Sequence, residues 1–151
     1  MLTEETVRKL SERLNEPDWL LEKRIRSLKK FQELEMPSFK YGIGIFVDIS
    51  DLDLESINPF NPIDNDLIIS DDAIEVLKFE EALQRYPDLI KEYFMTKCIR
   101  PEENKLTALH GAFFNNATFI RIPENKTTNH PIQIIVSTNG TKVDHMLIIA
   151  E

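Results

Sequence analysis

The sequence changes its grammar once, near Asn115, and that change constrains the fold more than any other feature. Before it, apolar residues recur at helical spacing. Leu21, Ile25 and Leu28 follow each other at intervals of four and three, with Leu20, Phe31 and Leu34 beside them. Such spacing puts one apolar stripe on an amphipathic helix, here over about residues 17–34. Pro17 suits a helix start and Pro37 a helix stop. Thr3 can cap a shorter helix that runs to about Leu14. Helical spacing returns at Phe79–Tyr86, at Pro87–Thr96 and, after Pro101, through Leu106, Leu109, Ala112 and Phe113. After Asn115 the pattern alternates instead. TFIRIP places Phe119 and Arg121 on one side and Ile120 and Ile122 on the other, and PIQIIVST and VDHMLIIAE are two more apolar, β-branched runs. Three strands at near-regular spacing without helices between them predict a meander, a sandwich or a β-solenoid. Three strands with apolar residues on both faces cover themselves poorly, so an incomplete β region is expected.

Between the two grammars lies an acidic stretch. Residues 1–36 balance eight acids with eight bases, whereas residues 48–92 hold thirteen acids and three bases. Like charges repel, so most of this block is expected as a solvated face or loop. Gly42 to Val47 reads as a strand weakened by two glycines, and Leu67-Ile68-Ile69 as a short buried strand. The whole chain of 151 residues has a net charge of −8. A nucleic-acid binder needs a basic face, so that class is not expected. No stretch approaches the about 20 apolar residues of a membrane helix. MLTEETVRKL lacks an apolar signal core, and a single cysteine forms no internal disulfide, so a cytoplasmic setting is expected. The Asn-x-Thr triplets at Asn116, Asn125 and Asn139 then read as turn residues.

The candidates for chemistry are few. Cys98 is the sole cysteine. It follows a predicted helix end, where the helix dipole disfavours a thiolate, so a packed apolar role is expected. His110, His130 and His145 lack the paired spacing of a zinc site, although Cys98, His110 and His145 could meet in space. Asp48, Asp51, Asp53 and Glu55 miss the glycine and terminal glutamate of a calcium loop. Arg121, Gln133, Asp144 and His145 are the polar residues on the strands. They carry the alternative function, a β-solenoid enzyme or binding module acting on a polysaccharide. No phosphate loop and no nucleophile motif is present, so no catalytic, cofactor-binding or metal residue is assigned.

Two long stretches carry a resemblance. NEPDWLLEKRIRSLKKFQELEMP, residues 15–37, resembles the N-terminal signature of the SufB/SufD family of iron–sulfur cluster assembly proteins. FEEALQRYPDLIKEYFMTKCIRPEENKLTALHGAFFNNATFIRIPENKTTNHPIQ, residues 79–133, resembles that family along its length, and HMLIIAE also fits. Tyr93 to Lys97 and Leu106 to Phe114 look more like the SufD type. Residues 38–78 match poorly and look shorter than the loop of typical SufB proteins.

The resemblance implies an α+β chain: a mainly helical region over 1–114 with an acidic loop at about 38–78, then the first rungs of a right-handed parallel β-helix from 115 to 151. It implies a non-catalytic scaffold component, corresponding to the N-terminal portion of the longer family members, either as a fragment or as an unusually short relative. SufB-like and SufC-like (ATPase) proteins would be its partners, with no nucleic acid and no membrane. The residues that the family uses around a nascent cluster fall beyond this chain. The chain itself is therefore expected to hold no cofactor, with an iron–sulfur cluster only at the level of the full complex. Relatives commonly carry an aliphatic residue where Cys98 stands, and a glycine where Ala117 stands.

Overall fold

A computed structural model describes residues 2–41, 45–60, 67–69, 73–127 and 130–151. The elements run α1 (Glu4–Arg13), α2 (Asp18–Glu33), β1 (Phe39–Tyr41), β2 (Ile45–Val47), β3 (Leu67–Ile69), β4 (Glu75–Lys78), α3 (Phe79–Arg85), α4 (Pro87–Tyr93), α5 (Lys105–Phe113), β5 (Asn116–Ile122), β6 (Gln133–Ile135) and β7 (Asp144–Ala150). They divide into two compact units. One comprises Met1–Ile57 and Met95–Phe113, the other Asn58–Phe94 and Phe114–Glu151. Each unit is therefore built from two separate stretches of chain.

The first unit is a helical core with one short antiparallel pair, β1 with β2. Of the glycine-containing segment read as a strand, Ile45–Val47 forms β2, and residues 42–44 lie outside the described residues. Thr3 caps α1 by accepting from the Thr6 backbone amide at 3.3 Å. Asn15 turns the chain at φ 50°, a left-handed conformation that asparagine tolerates well. Pro17, expected as the first helical residue, stands one position earlier in the element, at the cap of α2. Leu28 and Phe31 of α2 meet Val7 of α1 and Ala108, Leu109, Ala112 and Phe113 of α5 in one buried cluster. Small residues at 108, 111 and 112 let α5 approach α2 closely. A Cβ on Gly111 would lie 2.6 Å from the Ser27 hydroxyl oxygen.

Polar groups close both helix ends. Asn104 accepts from the amides of Leu106 and Thr107 at 2.9 and 3.0 Å, and the Thr107 hydroxyl accepts the Asn104 amide at 3.1 Å. That reciprocal arrangement starts α5. The Lys105 ammonium donates to the carbonyls of Phe31 and Leu34 at 2.9 Å each, where α2 ends. Arg24 on α2 donates to the carbonyl of Ala112 at 3.0 Å, where α5 ends. Each helix thus supplies a cation to the negative end of the other.

The second unit holds α3, α4 and the remaining strands. β3 pairs antiparallel with β6, as Leu67↔Ile135 to Ile69↔Gln133. The other three strands form a sheet in the order β4-β5-β7. β5 and β7 run parallel over seven pairs, from Asn116↔Asp144 to Ile122↔Ala150. β4 runs antiparallel on the other edge of β5, from Glu75↔Arg121 to Lys78↔Thr118. Phe79, Phe94 and Phe114 form an aromatic cluster with centroids 4.6 to 5.9 Å apart. Tyr86 stacks on Phe119 at 5.7 Å.

This topology corrects the expected fold. All three β-branched runs after Asn115 are strands, and the chain is α+β. The described strands do not build the first rungs of a parallel β-helix. A solenoid rung needs successive strands to stack in parallel. Here β6 leaves the ladder to pair with β3, and β4 blocks one edge of β5 in the opposite direction. The result is a small, open, mixed sheet. The β-solenoid enzyme alternative loses its fold by the same finding.

Candidate functional site

Cys98 does not take the packed place expected of it; it is exposed. The reason lies in the helix end before it. α4 stops at Tyr93, and Phe94 and Met95 occupy the buried positions. Met95 adopts φ 52°, which turns the chain out of helical register. Lys97, Cys98, Ile99 and Arg100 follow as exposed residues. His110 is partly buried on α5. Burial, and then the positive charge of Arg24, hold its imidazole below the usual histidine range. His130 is exposed, before Pro131. His145 belongs to the other unit, buried on β7 with its ring 4.4 Å from that of Phe94. Among the described residues, no group of three or more His, Cys, Asp or Glu side chains is placed to hold a metal ion.

The acids at 48–55 have local work. Asp48 accepts the amide of Ser50 at 2.9 Å, which holds its carboxyl below the usual carboxylate range. Asp53 accepts the amide of Glu55 at 3.1 Å and starts a short 3-10 turn, Leu54–Ser56. Glu55 accepts the Leu2 amide at 3.5 Å, and Asp51 is exposed. The Asp48 and Asp53 contacts form turns, and the Glu55 contact ties this segment to the N-terminus of the unit.

The four polar strand residues do not converge. Gln133 is on β6, in the two-stranded pairing. Asp144 opens the β5–β7 ladder opposite Asn116, whose side-chain amide donates to it. Arg121 stands opposite Ile149, five positions further along, which is roughly 16 Å away at strand rise. There Arg121 forms a fork with Glu151 at 2.7 and 2.9 Å and also donates to the Tyr86 hydroxyl at 3.4 Å. The Tyr86 hydroxyl in turn donates to Glu75 at 2.7 Å, and Arg85 pairs with that same carboxylate. The hydrogen bonds from Arg121 hold the Glu151 carboxyl below its usual range and push the Arg121 guanidinium up. This network ties β4, β5 and α3 together and leaves each charge beside an opposite one.

Two buried polar features escaped the sequence. Arg24 and Glu16 form a bidentate ion pair at 2.6 and 2.7 Å, with side chains 0% and 1% exposed. The other is Asn115. Its side-chain amide donates to the carbonyls of Pro59 and Thr141 at 3.0 and 2.9 Å, and its oxygen accepts the Val143 amide at 2.9 Å. One asparagine thereby fixes where two loops of the second unit run. Neither residue has a local pattern that announces it; the pair is eight residues apart, and the loops are 56 and 26 residues from Asn115. The outward face of β7 is apolar, with Met146 37% and Ile148 54% exposed.

Comparison with known proteins places the chain. A model of the SufBD protein N-terminal region matches residues 61–134. The iron–sulfur cluster assembly protein SufD of Bacillus subtilis is 25% identical over 184 aligned positions, covering 98% of this chain and 42% of that protein. A chloroplastic iron–sulfur cluster assembly SufBD family protein of Arabidopsis thaliana is 25% identical over 197 positions, covering 99% of the chain and 35% of its own length. A SufBD family protein of Pyrococcus horikoshii is 39% identical over 79 residues, half of the chain. The chain belongs to the SufB/SufD family. It spans about two fifths of the length of the curated relatives that it matches throughout. The alignment with the Bacillus protein is longer than the chain's 151 residues, so that relative carries segments this chain lacks.

Proposed function

We propose that the chain acts as the N-terminal portion of a SufD-like, non-catalytic scaffold component in SUF-type iron–sulfur cluster assembly. Its setting is the cytoplasm, and its partners are SufB-like and SufC-like (ATPase) proteins. The observation that carries this reading is the match to the SufBD N-terminal region over residues 61–134, joined to an alignment with a SufD protein over nearly the whole chain. Several of the polar candidates make contacts within the fold: Asp48 and Asp53 hold turns, Asp144 accepts from Asn116, His145 packs on Phe94 and Arg121 pairs with Glu151. Among the described residues no helix is long and apolar enough to cross a membrane. The cluster is cargo of the assembly system, and no residue of this chain is assigned to hold it.

The test is co-expression with a SufB-like and a SufC-like protein, followed by affinity isolation and cluster transfer to an apo-acceptor. The expected result is retention in a complex with the SufB-like protein and slower transfer when the chain is left out. Failure to associate with either protein, with transfer unchanged, removes the reading.

A further inference from the structure

The helical unit contains a cationic cleft that the assembly reading does not use. It measures about 240 Å³ and is lined by Lys23, Arg26, Ser27, Met95, Thr96, Arg100, Pro101 and Glu102. Lys23, Arg26 and Ser27 stand at i, i+3 and i+4 on α2, so they share one helix face. The other lining residues, Met95, Thr96 and Arg100 to Glu102, belong to the segment between α4 and α5, which begins with Met95 at φ 52°. Pro101 and Ser27 are buried, and both stand within van der Waals distance of the place where a Gly111 Cβ would lie. The floor is therefore fixed by the packing of α5 against α2.

The charge of this cleft opposes that of the protein. Three cations face one acid, Glu102, in a chain of net charge −8. Burial, and then the charge of Arg26, hold the Lys23 ammonium below the usual lysine range, with Glu102 only partly offsetting them. Arg100 shares an exposed contact with Glu103 at 3.2 Å, a pairing weak enough to yield to a better anion. Thr96 lies beside the cations, whereas the Ser27 hydroxyl donates to the Lys23 carbonyl at 2.8 Å and contributes packing. Sites for drug-sized ligands occupy about 300–1,000 Å³, so this cleft suits a smaller group.

We propose that this cleft binds a small, multiply charged oxyanion of the phosphate class, held by Lys23, Arg26 and Arg100. Both free inorganic phosphate and the terminal phosphoryl group of a larger ligand have this chemistry. Calorimetric titration of the chain with inorganic phosphate, at constant ionic strength made up with chloride, reads the affinity. Saturable binding with a dissociation constant of roughly 1 mM or tighter is expected. Replacing Lys23→Gln and Arg26→Gln together should weaken it by about tenfold or more. Arg26→Lys keeps the charge and should keep most of the affinity, and Lys9→Gln on α1 should change nothing. Circular dichroism confirms that each variant is folded. A parallel titration with ADP separates the sources: tighter binding than phosphate assigns the site to a phosphoryl end, and equal or weaker binding assigns it to the free ion. No saturable heat up to about 20 mM phosphate, or binding that the double substitution leaves unchanged, overturns the proposal.

Discussion

The two units solve the same problem, burial of apolar surface, with different polar hardware. In the helical unit the polar groups serve helix ends: Asn104 starts α5, Lys105 closes α2, and the Arg24–Glu16 pair closes α5. In the sheet unit they serve loops and a sheet end: Asn115 fastens two loops, and Arg121 fastens Glu151 and Tyr86. The difference follows from backbone chemistry. A helix leaves several unmatched carbonyls at its C-terminus, and a cation from a packed neighbour meets that demand. A strand satisfies its groups along the ladder, so its unmet demand lies where chain enters and leaves the sheet.

That contrast can be broken by substitution, and the largest effect is expected in the helical unit. Arg24→Ala leaves the Glu16 carboxylate buried without its partner and should cost about 4 kcal/mol, read by urea unfolding. Arg24→Met with Glu16→Gln should recover most of that loss. If the single change costs under about 1 kcal/mol, the pair is not the internal strut described. Phe94→Ala comes next, at about 3–4 kcal/mol, since its ring contacts Phe79, Phe114 and His145 and is fully buried. Asn115→Ala follows at about 2 kcal/mol, because three loop groups lose their partner. Asn115→Asp should rescue only the contact made by the side-chain oxygen.

Smaller effects sharpen the comparison further. His110 has a folded pKa below its ordinary value. The unfolded chain therefore binds the proton more readily, and stability present above about pH 6.5 declines as pH falls toward the folded pKa. His110→Gln should flatten that slope, and a proton NMR titration of His110 should give a midpoint below 6.5. A midpoint at or above that value contradicts the burial. The smallest effect belongs to Cys98→Ala. An exposed thiol should contribute under about 0.5 kcal/mol and should react readily with a thiol reagent in the native state. Protection from the reagent would restore the packed role that the sequence had suggested.

Residues differ sharply in how far the sequence exposed their roles. α2 was legible because Leu21, Ile25 and Leu28 repeat at helical spacing, although its most buried face, Leu20, Arg24, Ser27, Leu28 and Phe31, is set slightly to one side of that stripe. β5 and β7 were legible from alternation and β-branching. β4 was hidden: Glu75-Val76-Leu77-Lys78 offers two apolar residues at the end of an acidic block, too few for a period. Trp19 draws attention as the sole tryptophan, yet it is only half-buried, beneath the Lys23 ammonium at 5.9 Å. Leu20, Leu28 and Phe31 do the docking.

Local order, then, was written in the residues themselves: among the described residues, helices where apolar residues recur at helical spacing, and three strands where alternation or β-branched runs follow Asn115. Family membership was legible too, because two long stretches carry it. Strand partnership was decided only in three dimensions. A strand presents the same backbone groups on both edges, so its own residues do not choose its neighbour or its direction. β4 on one edge of β5, β7 on the other, and β6 drawn away to β3 are choices made by contacts between distant segments. The same holds for Cys98, whose exposure was set by Phe94 and Met95 taking the buried places before it.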